Sequence, residues 1–128
     1  PNSIEQKAAV EALNGDQTKV EYMKGEFAKR RQYIYERCLN FKYVEAAKPT
    51  GAFYLFIDCS ELLTKSYKGK KIETTAELAR ILIEDYLVAV VPCGDFGFAD
   101  HIRLSYATSL EAIKKGMDRI EEFINSVK

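Results

Sequence analysis

Apolar positions recur at three- and four-residue steps in four stretches of this chain and crowd into short runs in three others. That pattern predicts helices alternating with strands. The first helix opens on "SIEQ", a capping-box arrangement in which Ser3 accepts from the Gln6 backbone and Gln6 reaches back. Ile4, Ala8, Ala9, Ala12 and Leu13 form its apolar side. "NGD" at 14–16 breaks it, and Asp16 is placed to cap a second, longer helix. Val20, Met23, Phe27, Ile34 and Cys38 mark the stripe of that helix, roughly residues 16 to 39, with Arg31 filling one slot.

After the turn "KPTG", the run "AFYLFID" is apolar and aromatic on both faces and predicts a strand covered on both sides. "YKGKK" at 67–71 predicts a solvated loop. "TTAE" forms a second box, Thr74 to Glu77, opening a helix that ends near Tyr86. "LVAVV" predicts a buried strand ending at Pro92, and "IRLSY" a third strand beyond the glycine-bearing loop "CGDFGFADH". Thr108 and Glu111 form a third box. The last helix carries a stripe of Leu110, Ile113, Met117, Ile120, Ile124 and Val127. The fold class is therefore α/β (α+β): one domain over 1–128, with a sheet of about three strands covered by helices, a long N-terminal helix and a C-terminal helix.

Composition narrows the function more than the fold. With 128 residues, 47% hydrophobic and 30% charged, the chain suits one domain with a real core. Its 19 basic and 19 acidic residues cancel. A phosphate-binding protein normally has a basic excess, so nucleic acid is not the expected partner. The apolar runs are too short to cross a bilayer, so no membrane role is expected. Cys38, Cys59 and Cys93 are odd in number and lack metal-site spacing, so neither a disulfide framework nor a metal site is indicated. A reducing, cytoplasmic setting is the expectation. A start at Pro1, with a helix cap almost at once, suggests a domain cut from a longer protein.

Arg103 is the first candidate for chemistry. Alternation along "IRLSY" puts Ile102, Leu104 and Tyr106 on one face and Arg103 with Ser105 on the other. Two readings are open: an arginine on a solvated sheet face, or a guanidinium presented from a rigid strand to a carboxylate, whose geometry its planar fork matches. "PCGDFG" at 92–97 could turn backbone N–H groups toward an anion or be a plain turn. His101 reads as a surface histidine, Cys93 as a small packed residue, and Phe53, Tyr54 and Phe56 as core. No Ser, Cys and acid set suggests a triad.

Five segments in order, "NSIEQKAAVEALNG", "FAKRRQYIYERC", "KPTGAFYLFID", "VAVVPCGDFG" and "IRLSYATSLEAIKKGMDRIEEF", resemble the C-terminal small domain of the class I aminotransferases. These are fold-type I enzymes that use pyridoxal phosphate, and the bacterial aspartate aminotransferases are the nearest in pattern. The resemblance implies that Arg103, in the "RLSYA" motif, binds the substrate α-carboxylate. It implies that Phe53, in "GAFY", lines the substrate side of the pocket and that the loop from Pro92 to Gly97 borders it. In the family that loop usually reads PG, two residues, then FG. Here Cys93 and Gly94 stand in place of the glycine and its neighbour, and Asp95 in place of a small residue.

The family's Schiff-base lysine lies in a Ser-Lys motif followed by a glycine and a phosphate-holding arginine, and "TKSYKGKK" has no such pattern. The resemblance therefore implies no catalytic and no cofactor-binding residue here. It implies pyridoxal 5'-phosphate in a parent enzyme but none bound to this fragment, which would be inactive alone. The implied partners are amino-acid and 2-oxo-acid substrates, a large domain of the same chain, and a second copy in a homodimer. Two alternatives stay open: an aminotransferase of other specificity (alanine, aromatic), and a free-standing, non-catalytic α/β interaction module.

Overall fold

Asn2 rather than Ser3 starts the first helix, α1 (Ser3–Asn14): its side chain accepts from the Ile4 and Glu5 N–H groups, and the Glu5 carboxylate returns to the Asn2 backbone. The computed structural model describes all residues, 1–128. α2 spans Thr18–Leu39, and Asp16 accepts from the Thr18 N–H at 3.0 Å. The other two helices are α3 (Thr75–Tyr86) and α4 (Leu110–Ser126). Thr74 caps α3 by accepting from Glu77 N–H, but the Glu77 carboxylate takes the Glu73 N–H instead of closing a box. α4 begins one residue later than the sequence suggests, because Ser109, not Thr108, accepts from the Ala112 N–H.

The strands are β1 (Glu45–Ala46), β2 (Tyr54–Asp58), β3 (Ser66–Tyr67), β4 (Lys70–Lys71), β5 (Val91–Pro92) and β6 (His101–Ser105). The main sheet has four strands in the order β1-β2-β6-β5, with antiparallel neighbours throughout. The α/β class expected from the sequence holds, with β1 as an added short edge. The "YKGKK" stretch is not loop but the hairpin of β3 and β4. Lys68 and Gly69 both take positive φ, 49° and 81°, the combination a two-residue hairpin turn requires.

"LVAVV" does not form a full strand. Leu87 caps α3 in the left-handed conformation with φ 55°, and the Val88 N–H donates back to the Leu82 carbonyl at 3.0 Å. This Schellman-like ending delays the strand to Val91. Pro92 then sits where a proline is tolerated, on an edge.

All three long-packed helices lie on one face of the sheet. Leu55 and Ile57 of β2 and Ile102 and Leu104 of β6 point into that layer and are buried. There they meet Ile34 and Cys38 of α2, Leu78 and Leu82 of α3, and Met117, Ile120, Phe123 and Ile124 of α4. Phe123 extends the C-terminal stripe and is fully buried, with the Tyr67 and Tyr86 rings each 5.5 Å away. Arg37 ties α2 to α4 through a fork, each terminal nitrogen 2.8 Å from a carboxylate oxygen of Asp118 or Glu121.

The opposite face of β2, with Tyr54, Phe56 and Asp58, is only half-buried. The sequence expectation of a strand covered on both sides is therefore corrected: helices cover one side only. α1 buries no residue at all, and Ile4, Leu13, Val20 and Met23 of the expected apolar stripes are exposed. No helix is long and apolar enough to cross a membrane.

The entry into β2 is fixed by two hydrogen bonds from Tyr106. Ala52 takes φ 56°, unusual for a residue with a Cβ. The buried Tyr106 donates its O–H to the Ala52 carbonyl at 3.0 Å, and its N–H to the Phe53 carbonyl at 2.9 Å. Phe53 thus leaves the turn with its backbone held from both sides.

Three outcomes test this packing. Phe123→Ala should cost about 3–5 kcal/mol in urea unfolding, whereas Ile4→Ala should change stability by less than about 0.5 kcal/mol. Tyr106→Phe should cost about 1–2 kcal/mol, since a partly buried carbonyl loses its donor. Burial pushes the Cys59 thiol up to about 12 and the Cys38 thiol up to about 11, and it raises Cys93 as well. All three should resist an aromatic disulfide reagent at pH 8 in the folded protein and react fully in denaturant.

Candidate functional site

The site is built on the face of the sheet that the helices leave open. Register puts Arg103 in the middle of it: Phe56 lies opposite on β2 and Val91 opposite on β5. Directly opposed residues share a face, so Tyr54, Phe56, Val91, His101 and Arg103 point the same way. Both neighbouring strands are paired to β6, which fixes the Arg103 backbone as firmly as a strand in this sheet can be fixed.

The Arg103 side chain lies along this face. Its Cζ is 4.3 Å from the centroid of the Tyr54 ring and 5.4 Å from that of Phe96. Phe96 comes from the short 3₁₀ turn Gly94–Phe96, which Gly97 ends with φ 85°. Tyr54 in turn rests against Phe53, ring centroids 4.6 Å apart. Arg103 is therefore flanked by the 92–97 loop and reaches the Phe53 ring through Tyr54. Phe53 itself is 40% exposed, with Phe27 of α2 behind it at 6.2 Å.

Charge is arranged sparsely here. Arg103 forms no ion pair: the salt bridges of the chain are made by other residues. Its Nε is buried and has no hydrogen-bond partner. Asp95, the acid that departs from the family pattern, lines a groove with Glu73, Thr74 and Asp100 and does not pair with Arg103. Lower on the same face, His101 stacks on Phe56 at 4.5 Å and 21°, and Phe98 meets Phe56 edge-on at 5.2 Å. Asp58 beside them is held below the usual carboxylate range by hydrogen bonds from Ser60, helped by His101.

Of the two residues singled out from sequence, Arg103 lies on the open face, whereas Phe53 lies at its end, opposite the buried Tyr106 in register, and meets the face only through the Tyr54 ring. Tyr54 and Phe96 were missed. The sequence reading put Tyr54 in the core, yet its alternation with the buried Leu55 and Ile57 would have placed it on the open face. Phe96 had no signal, because a loop ring can be placed only by the fold. Cys93 is buried against Val91, its Sγ 3.6 Å from that carbonyl.

Chemically, the face offers one cation with uncommitted N–H groups on an aromatic floor. That suits a planar anion such as a carboxylate. No group of three or more His, Cys, Asp or Glu side chains is placed to hold a metal. None of the residues that register puts on this face, Tyr54, Phe56, Val91, His101 and Arg103, is a lysine. The one lysine that is not exposed, Lys65, sits over the Tyr43 ring at 4.2 Å.

Comparison with known proteins gives this face a setting. Residues 2–120 match the family model for aminotransferase class I and II. The probable aspartate/prephenate aminotransferase of Rickettsia felis is 40% identical over 99% of this chain and 31% of its own length. The aspartate aminotransferase of Geobacillus stearothermophilus is 38% identical over 98% of this chain and 31% of its own. Among solved structures, the aspartate aminotransferase from Rhizobium meliloti superposes with a TM-score of 0.92 at 36% identity, over 100% of this chain and 32% of that one. The alanine aminotransferase from Pyrococcus furiosus gives 0.85 at 28% identity, over 98% and 30%. The chain spans about a third of the length of the relatives it matches. With nearly all of its residues covered by the family pattern and its fold shared with solved members, the chain belongs to the class I and II aminotransferase family.

Proposed function

We propose that this chain is the carboxylate-clamping small domain of an enzyme that transfers an amino group between an amino acid, aspartate first, and a 2-oxo acid. The observation that carries the reading is Arg103: a guanidinium fixed on a doubly paired strand, with no acid of its own. The aspartate aminotransferases among its relatives and structural neighbours support aspartate as the amino donor.

The family implies pyridoxal phosphate for the whole protein. The donor set on this chain's open face does not fit that group. The strand positions of that face carry no lysine for a covalent bond to an aldehyde, and one guanidinium that the carboxylate reading already uses. The electron-sink chemistry therefore belongs to the parent's other two thirds, and this chain alone is inactive. In the parent, this face would close against a large domain of the same chain, in a cytoplasmic homodimer, and exclude water from the ion pair as it forms.

Arg103 would donate two parallel N–H···O bonds to the α-carboxylate, an interaction worth roughly 1.5–3 kcal/mol. Phe53, exposed at the turn beside it, would form an apolar wall for the substrate. Lysine at 103 would keep the charge and lose the fork. In the full-length enzyme, Arg103→Lys should raise KM for the amino acid about tenfold or more and lower kcat. Steady-state kinetics check this, and unchanged parameters would refute the role.

A further inference from the structure

An arginine on a protein surface often finds an acidic partner. Arg103 has none. Its Nε is buried without a hydrogen-bond partner, and its guanidinium lies 4.3 Å from the Tyr54 ring centroid and 5.4 Å from that of Phe96. Elsewhere in the chain, Arg37 and Arg80 are held by carboxylates, while Arg31 also keeps a buried Nε without a partner and Arg30 lies over the Phe27 ring at 5.5 Å. Of the unpaired arginines, Arg103 alone is on the sheet and between two rings. The difference matters for a binding group. A carboxylate neighbour would occupy the same N–H fork that an incoming anion needs, and would cancel the charge that attracts it. The face of an aromatic ring attracts the cation through its quadrupole and takes up none of the N–H groups.

We infer that Tyr54 is a positioning residue for Arg103: its ring is the shelf that holds the guanidinium in the binding orientation, with Phe96 as a second, looser support. The inference rests on the carboxylate role proposed above. Three features of the fold equip Tyr54 for the task. It sits on β2 two residue pairs along from the Phe56–Arg103 pair, the next position on the same face, so the arginine reaches it diagonally across the sheet. Its own ring is held by Phe53 at 4.6 Å. Its backbone starts immediately after the turn that the Tyr106 hydroxyl pins at Ala52. The residue named from sequence as a pocket wall, Phe53, thus also acts on the arginine through Tyr54. Phe96 belongs to a short glycine-flanked turn and is 61% exposed, so its support is weaker.

The test is a double-mutant cycle in the full-length enzyme, with L-aspartate as the substrate. Tyr54→Leu should raise KM about threefold to thirtyfold, with kcat changing less, and Tyr54→Phe, which keeps the ring, should stay within about twofold of wild type. In an Arg103→Leu background, Tyr54→Leu should have no further effect, because the group it positions is gone. Additive effects would mean Tyr54 acts only on stability or elsewhere and would overturn the inference, as would a normal KM in Tyr54→Leu. The two claims fail separately: a normal KM in Arg103→Leu sinks the carboxylate role itself. If Tyr54→Leu does not fold, Phe96→Leu decides at an exposed position. A KM raised about twofold to tenfold supports the aromatic shelf, and an unchanged KM overturns it.

Discussion

A guanidinium can hold a carboxylate only if its own position is settled before the carboxylate arrives and if nothing else has claimed its N–H groups. Those two demands pull against each other, because the usual way to settle an arginine is to pair it with an acid. In this chain the backbone of Arg103 is fixed by ladders on both sides, and its side chain lies against rings rather than carboxylates. Rigidity therefore comes from strand pairing and from the rings' attraction for the cation, and the N–H groups stay free for a ligand. The proposed roles of Phe53 and Tyr54 both depend on that division.

The division needs a sheet with two unlike faces. Leu55, Ile57, Ile102 and Leu104 face the helices and form the core, which leaves the alternate residues of the same strands facing outward. A one-residue slip of β6 against β2 would send Arg103 into the helix layer and Leu104 into the open face. Register and core burial are thus one constraint, and Phe123, Met117 and Ile120 of α4 maintain it from the far side of the layer. The Tyr106 hydroxyl adds the last fixed point, at the turn that delivers Phe53 and Tyr54.

Much of this could be read from the sequence, for identifiable reasons. The alternation in "IRLSY" placed Arg103 opposite the core side correctly, because period-two patterns survive in a strand whose one face is buried. The C-terminal stripe was legible because α4 packs along its whole length. Less legible were features decided by contacts far apart in the chain. Leu87 reads as strand, yet it caps α3 in a left-handed turn. Ile4 and Leu13 read as an apolar helix face, yet nothing in this chain covers them. Tyr54 and Phe56 read as core because aromatic residues usually are, and only the one-sided placement of the helices shows that they lie on the open face.

The most direct measurement is a crystal structure of the full-length enzyme with a non-reactive dicarboxylate, such as maleate, bound. The account requires one carboxylate of the ligand to take two parallel hydrogen bonds of about 2.7–2.9 Å from the terminal nitrogens of Arg103, with the guanidinium still resting on the Tyr54 ring. A carboxylate held by other groups, with Arg103 turned out to solvent, would contradict it.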